Sequence, residues 1–182
     1  MKNTTLALLA AILLCWSCSD NIQLDIDNPS NNESSIVVDD QVFALPAKTT
    51  ISMEVARGEH SIGLENDSTF QYAFDKDRYL INPTVTDYLI EKIYFSVSGN
   101  PTLEATFNRI NRKTVIFAGY EIEGNYEVIN DLIMEKNWHY KQRQPVPETI
   151  TIENKKFSSA KTIRKLYSED EFLQLLEDSN QP

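Results

Sequence analysis

Residues 22–27 read Ile22-Gln23-Leu24-Asp25-Ile26-Asp27, and apolar and polar side chains alternate through them without a break. Successive side chains of a β-strand point to opposite faces of a sheet, so this period of two predicts a half-buried strand. The stretch that follows, Asn28-Pro29-Ser30-Asn31-Asn32, has the composition of a turn. The start of the chain is therefore typical of a β protein.

Similar short runs follow one another through residues 36–81 and are separated by turn signals. The apolar members of these runs are Ile36-Val37-Val38, Val42-Phe43-Ala44-Leu45, Ile51, Met53, Val55, Ile62, Leu64, Phe70, Tyr72, Phe74 and Tyr79-Leu80-Ile81. Asp39-Asp40-Gln41 predicts a tight hairpin, and Arg57-Gly58-Glu59 and Asn66-Asp67-Ser68 predict further turns. Turns at roughly 8–12-residue spacing are typical of an antiparallel sandwich. We predict a mainly β fold, made of one or more antiparallel β-sandwich-like modules with a short C-terminal helix.

The second half of the chain has a less regular pattern. It contains predicted strands at residues 87–95, 116–122, 138–140 and 149–152, with a predicted loop at 98–112. Ser168-Glu169-Asp170-Glu171 has the spacing of a capping box and places acidic groups at the positive end of a helix. The apolar residues after it predict a helix over about residues 168–178, docked through Phe172, Leu173, Leu175 and Leu176.

Residues 1–17 have the organisation of a secretory signal. Lys2 supplies a positive charge and is followed by nine apolar residues, Leu6 to Leu14. At roughly 1.5 Å per residue this run is too short to cross a bilayer as a helix. A charged start, a short apolar centre and a small residue before the cleavage point predict a signal peptide.

The stretch Cys15-Trp16-Ser17-Cys18 resembles the lipobox of bacterial lipoproteins, in the looser form used by Bacteroidota. The small Ser17 directly precedes Cys18, although Cys15 and Trp16 depart from the strict pattern. The resemblance implies that Cys18 becomes the N-terminus and carries palmitate and related acyl chains. Ser19-Asp20-Asn21 is similar to the acidic surface-export signal of the same group. We expect a cell-envelope protein anchored in the outer membrane by lipid, with periplasmic and outward-facing orientations both open.

These patterns divide the chain into four predicted segments. They are a lipoprotein signal peptide (1–17), a lipidated N-terminus with the first strand (18–34), a β-sandwich-like module (35–98) and a β-rich C-terminal region (99–182). Residues 36–64 also resemble small immunoglobulin-like modules of bacterial envelope proteins, including PEGA-type domains, in their hairpin, Leu45-Pro46 step and Gly58-Glu59-His60-Ser61-Ile62 corner. That resemblance implies a structural or binding module without catalytic residues.

The composition excludes several classes of protein. The 182 residues include 17 Lys and Arg against 27 Asp and Glu, a net charge of −10. This is the opposite of the basic surface that a nucleic-acid-binding protein needs. Removal of residues 1–17 takes away Lys2 and leaves 16 basic and 27 acidic residues, a net charge of −11. The remaining cysteine, Cys18, would carry the lipid, so the core must provide the stability without disulfides.

Signals for catalysis are nearly absent. The chain has two histidines, His60 and His139, and neither has a second His or Cys nearby in the sequence. A zinc site needs three or four such ligands at workable spacing. The sequence also lacks a Gly-x-Ser-x-Gly elbow and a glycine-rich phosphate loop. We therefore expect no catalytic residue, no metal and no cofactor.

Aromatic and basic residues coincide in the second half. Eight Lys and Arg occur within residues 136–165, and aromatic rings flanked by polar groups are suited to stack on sugars. The candidate binding surface consists of Tyr120, Tyr126, Trp138, Tyr140, Lys141 and Arg143. The alternative is that the rings fill a core and the basic groups balance the acidic first half.

These observations favour a non-catalytic, membrane-anchored envelope lipoprotein that acts as a binding or scaffold module for a protein or glycan partner. Two alternatives stay open. A small envelope hydrolase would need His60 or His139 beside a carboxylate and a nucleophile. A purely structural subunit of a membrane-attached complex would need a large hydrophobic interface.

Overall fold

A computed structural model describes residues 20–66, 68–96, 101–151 and 160–179 of the chain. The predicted signal peptide, Cys18 and residues 152–159 of the basic stretch, which include Lys155 and Lys156, lie outside the described residues. Within the described ranges the chain is 53% strand and 15% helix, arranged in several antiparallel sheets with a short C-terminal helix, which confirms the predicted fold class.

The secondary-structure elements follow one another along the chain as thirteen strands and two helices within these ranges. They are β1 (Asn21–Asn28), β2 (Ser34–Val38), β3 (Gln41–Leu45), β4 (Thr49–Ala56), β5 (Gly58–Leu64), β6 (Thr69–Phe74), β7 (Arg78–Ile81), β8 (Tyr88–Ser96), α1 (Pro101–Asn111), β9 (Lys113–Phe117), β10 (Tyr120–Gly124), β11 (Tyr126–Ile129), β12 (Ile133–Glu135), β13 (Ala160–Tyr167) and α2 (Glu169–Ser179).

Two four-stranded sheets form the first part of the molecule. Sheet A has the order β12-β7-β1-β4, and sheet B has the order β3-β2-β5-β6. Neighbouring strands in both sheets are antiparallel except β1 and β7, which run parallel. Sheet A therefore contains strands from three of the predicted segments: β1 from 18–34, β4 and β7 from 35–98, and β12 from 99–182.

The second half builds a smaller sheet and a separate hairpin. Sheet C has the order β11-β8-β13 and is antiparallel throughout, and β9 pairs with β10. Helix α2 packs on this part through Phe172, whose ring contacts that of Phe117 edge-on with centroids 5.3 Å apart. The predicted C-terminal helix over about residues 168–178 is therefore confirmed as α2.

Strand β1 is buried on both faces. Ile22, Leu24 and Ile26 pack in the core between sheets A and B. Asp25 and Asp27 point to the other face and are only 3% and 0% exposed. The alternation predicts a strand with one face in water, and that prediction is wrong because sheet C covers the polar face.

Strand β8 has the same property. Tyr88 and Ile90 pack towards sheet A, in a core cluster shared with Leu80, Met134, Trp138 and Leu166. Leu89, on the opposite face of β8, packs with Phe117 and Phe172. The layers therefore follow in the order sheet B, sheet A, sheet C, and the β9–β10 hairpin with α2.

Two local predictions for the second half are wrong. The predicted strand 116–122 is a hairpin, because Ala118 and Gly119 adopt positive φ values of 52° and 80° and reverse the chain. Two consecutive residues with positive φ form the turn that matches the twist of a two-residue hairpin. The predicted loop 98–112 contains helix α1, which begins at Pro101, a residue favoured in the first turn.

The predicted strands at 138–140 and 149–152 are also wrong where the structure describes them. Tyr140 makes only an isolated bridge with Lys165, and residues 149–151 have no strand. Ile152 lies outside the described residues. The segment from Lys136 to Arg143 instead packs, through Trp138, on the core cluster between sheets A and C.

Candidate functional site

The structure separates the aromatic members of the predicted binding surface. Tyr120 begins β10 and is 52% exposed. Tyr126 is half-buried, and its ring lies so close to Gly124 that a Cβ added there would be 2.4 Å from it. Trp138 is 6% exposed. The prediction of an accessible ring at Trp138 is wrong, because this ring fills the core between sheets A and C.

The remaining members lie where the second half meets β1. Tyr140 pairs with Lys165, and the carbonyl of Lys141 accepts a hydrogen bond from Lys165 Nζ at 2.7 Å. Arg143 Nη1 lies 3.8 Å from Asp27 Oδ1, and Arg143 Nη2 lies 3.7 Å from Asp170 Oδ2. Arg143 thus bridges β1 and α2 with a side chain that is 34% exposed, and Lys141 takes part through its backbone carbonyl. Tyr120 lies apart from them on the hairpin.

Four of the six described basic residues within 136–165 form ion pairs with acids. The ion pairs join Lys136 to Asp25, Arg143 to Asp27, Arg164 to Glu127, and, at 2.7 Å, Lys165 to Glu171. Both aspartates are buried on β1, so their charges need partners from the later part of the chain. This geometry agrees with basic groups that balance the acidic first half.

Several polar contacts surround the buried carboxylate of Asp27, in a group that we call the Asp27 cluster: Asp27, Thr50, Tyr88, Gln142 and Arg143. Tyr88 donates its hydroxyl hydrogen to Asp27 Oδ2 at 2.6 Å, and Thr50 donates to Oδ1 at 2.5 Å. Gln142 Nε2 donates to Thr50 Oγ1 at 3.1 Å. Burial, reinforced by the neighbouring Asp27 charge, raises the pKa of Tyr88, so the phenol stays protonated and acts as a donor. The cluster joins β1, β4 and β8 and is closed to solvent at Asp27 and Tyr88.

Helix α2 is attached beside this cluster through Glu171. Its carboxylate accepts hydrogen bonds from Lys165 Nζ at 2.7 Å and from the backbone N–H of Arg143 at 2.8 Å. Lys165 is 2% exposed. Burial lowers the pKa of Lys165, and the hydrogen bond to Glu171 opposes this effect. The predicted capping box is not formed, because Glu171 binds Lys165 and Arg143 instead, and the buried Ser168 Oγ has no hydrogen-bond partner within the described residues. Glu171 therefore anchors the helix to β13.

His60 is bound inside the sandwich through both ring nitrogens. Nδ1 lies 2.8 Å from Asp39 Oδ2, and Nε2 lies 2.7 Å from the carbonyl oxygen of Ala56. Burial disfavours the charged ring, but the hydrogen bonds to Asp39 and Ala56 prevail and raise the pKa of His60. The ring ties the β2–β3 turn to the end of β4.

His139 is held in a different way. Its Nδ1 accepts a hydrogen bond from the backbone N–H of Arg164 at 3.1 Å. Burial, with the positive charges of Lys161 and Arg164, lowers the pKa of His139. The hydrogen bonds recorded at both histidines are thus structural, and none of them joins a ring to a serine or cysteine.

Two surface clefts have polar linings. One, of about 560 Å³, lies between the β1–β2 turn, Lys48 and the start of α2. The other, of about 460 Å³, is lined by Asp75, Lys76, Asp77, Arg78, Glu135 and Lys136. Among the described residues, no three His, Cys, Asp or Glu side chains are grouped so as to hold a metal ion. No helix in the described part of the chain has the length and apolar character needed to span a membrane.

No protein-family model, no curated protein and no solved structure matches this chain.

The Asp27 cluster yields a prediction for Tyr88→Phe. Loss of the hydroxyl leaves a buried carboxylate oxygen without its donor, so we expect a loss of about 1–3 kcal/mol in the free energy of unfolding. The matched control is Tyr120→Phe, which alters an exposed ring and should change that free energy by less than about 0.5 kcal/mol. Urea unfolding followed by circular dichroism measures both. Equal effects in the two variants would contradict the assigned role of Tyr88.

The two histidines are predicted to change the pH dependence of stability in opposite directions. The raised pKa of His60 stabilises the fold below the unfolded-state value of about 6.5, and this stabilisation is lost as pH rises through the folded-state pKa. The advantage of the unmodified chain over His60→Gln should therefore grow as pH falls from about 8 to about 5.5.

His139→Gln is the control, because its lowered pKa destabilises the fold on acidification. The advantage of the unmodified chain over this variant should shrink over the same pH interval. Urea unfolding at a series of pH values tests both variants, and parallel pH profiles for all three proteins would refute the assignment.

Proposed function

We propose that the protein is a non-catalytic, membrane-anchored cell-envelope lipoprotein that acts as a binding or scaffold module for a protein or glycan partner. The observation that carries the proposal is that the groups suited to catalysis are bound inside the fold. His60, His139 and Asp27 take part in internal hydrogen bonds, whereas Ile116 and Tyr120 of the β9–β10 hairpin are 72% and 52% exposed. These polar groups thus serve internal contacts, while the outer part of the hairpin presents an apolar and an aromatic side chain to its surroundings.

The anchor is proposed from the sequence around Cys18. Ser17 suits the residue before a lipidated cysteine, and β1 begins at Asn21, only three residues after Cys18. Acyl chains contribute about 0.8 kcal/mol per buried CH₂, so two or three of them hold a protein stably on a membrane without a membrane-spanning helix.

The proposed contact surface is the outer part of the β9–β10 hairpin. Tyr120 combines an apolar ring with a hydroxyl, which suits contact with a protein or with the C–H face of a sugar. Phe117, its cross-strand partner, is 1% exposed and packs against Phe172. The exposed ring therefore extends from a hairpin that is fixed to the core.

The anchor is tested by substitution of the two cysteines separately. Cys18→Ala should abolish incorporation of a palmitate analogue and leave the precursor uncleaved. Cys15→Ser is the matched control and should be lipidated normally, because Cys15 would be removed with the signal peptide. Labelling in growing cells followed by gel analysis measures both outcomes. Normal lipid labelling of Cys18→Ala would refute the anchor.

The contact surface is tested with a photo-cross-linking amino acid at position 120 in the producing cells. We expect a discrete adduct with an envelope protein, or one whose mobility shifts after glycosidase treatment. Position 42 is the control, because Val42 lies on β3 and is 71% exposed. No adduct from position 120, or equal adducts from both positions, would overturn the proposed binding surface.

A further inference from the structure

The predicted lipid attachment is close in sequence to the folded body. Cys18 and Asp20 are two residues apart, a separation that extended chain spans in at most about 7 Å. Asp20 is held by Arg57, whose Nε donates to Asp20 Oδ2 at 2.8 Å and whose backbone N–H donates to the Asp20 carbonyl at 3.0 Å. No flexible linker separates Asp20 from β1, which begins at the next residue.

Several strand ends meet at this point. Asn21 pairs with Ala56 at the end of β4, and Gln23 pairs with Arg78 at the start of β7. Strand β12 ends beside β7, where Lys136 N–H donates to the Arg78 carbonyl at 3.0 Å. We call this region the tether end; it comprises Asp20, Arg57, Asp75, Lys76, Asp77, Arg78, Glu135 and Lys136.

The tether end is nearly neutral. It has four acidic residues, Asp20, Asp75, Asp77 and Glu135, and four basic residues, Arg57, Lys76, Arg78 and Lys136, of which Lys136 directs its Nζ to the buried Asp25 at 3.5 Å. Arg57 links them, because it bonds to Asp20, to Asp77 Oδ1 at 2.8 Å and to the carbonyl of Asp75. The chain as a whole has a net charge of −10. A phospholipid surface, with its phosphates and ammonium groups, therefore repels the tether end less than the rest of this acidic protein.

The shape of this region also suits headgroups. The cleft of about 460 Å³ is lined by the residues from Asp75 to Arg78 together with Glu135 and Lys136. Lys76 is half exposed at its rim, with 51% of its side chain accessible. Both donors and acceptors are thus available to polar headgroup atoms on a concave surface.

We infer that the tether end is the membrane-contacting surface of the protein and lies among the phospholipid headgroups of the leaflet that holds the acyl chains. The inference rests on the lipidation of Cys18 proposed above. A headgroup layer is about 5–8 Å thick on each side of the bilayer, and the eight residues of β1 extend about 26 Å. With β1 standing on the membrane, the β1–β2 turn at Asn31 lies well outside the headgroup layer.

Fluorescent labelling tests this orientation in the lipidated, full-length mature protein. After processing, Cys15 is gone and the thiol of Cys18 is blocked, so an introduced cysteine is the single reactive thiol. Lys76→Cys places a bimane label at the tether end, and Asn31→Cys places it at the opposite end; both positions are exposed. The labelled proteins are inserted into vesicles of phosphatidylethanolamine and phosphatidylglycerol that contain a headgroup spin-labelled lipid.

We expect the spin label to quench bimane at position 76 several-fold more strongly than at position 31. A second pair, Arg78→Cys and Asn66→Cys, repeats the comparison with the end of β5 as the distant site, and the midpoint of urea unfolding checks that each variant is folded. Equal quenching at both ends, or stronger quenching at positions 31 and 66, would overturn the orientation. Failure of the anchor is a separate outcome, because the protein would then not remain with the vesicles.

Discussion

The buried carboxylate of Asp27 is the constraint on which the rest of the structure depends. Asp27 is fully buried in the face of β1 that sheet C covers, where an unpaired charge would cost several kcal/mol. Its donors come from distant parts of the chain: Thr50 on β4 and Tyr88 on β8, with Arg143 nearby. The requirement to satisfy this one carboxylate brings the second half of the chain onto the first.

The layered arrangement has a consequence for a lipid-anchored protein. Strand β1 is central in sheet A and lies between two cores, so its N-terminus is a rigid attachment point. A lipid anchor only three residues before β1 would therefore restrict the orientation of the whole folded body on the membrane. On the opposite side of sheet C from sheet A, Phe117 fixes the β9–β10 hairpin to the core cluster that it shares with Leu89 and Phe172. Tyr120 of the same hairpin stays exposed. The proposed anchor and the proposed contact surface are thus connected through packed layers.

Local sequence rules predicted much of this fold. The period of two in residues 22–27 and the turn residues at Asp39-Asp40 and Gly58 placed strands β1 to β6 near their observed positions. The acidic residues after Ser168 and the apolar residues that follow them located α2. The β9–β10 hairpin was missed because Ala118-Gly119 is a weaker turn signal than Asn-Gly. Helix α1 was missed because the breaking residues Ser98-Gly99-Asn100-Pro101 are typical of the start of a loop, although Leu103, Phe107 and Ile110 have helical spacing.

The sequence by itself located strands β1 to β8, the C-terminal helix α2 and a cysteine that resembles a lipidation site, because each of these is encoded in neighbouring residues. Only the tertiary structure decided that Asp25 and Asp27 are buried, that Trp138 fills a core, and that Lys165 lies 2% exposed against Glu171. The physical reason is that periodicity shows which side chains share a face of a strand. Whether water or another layer covers that face depends on contacts between residues far apart in the chain, as in the 2.6 Å bond between Tyr88 and Asp27.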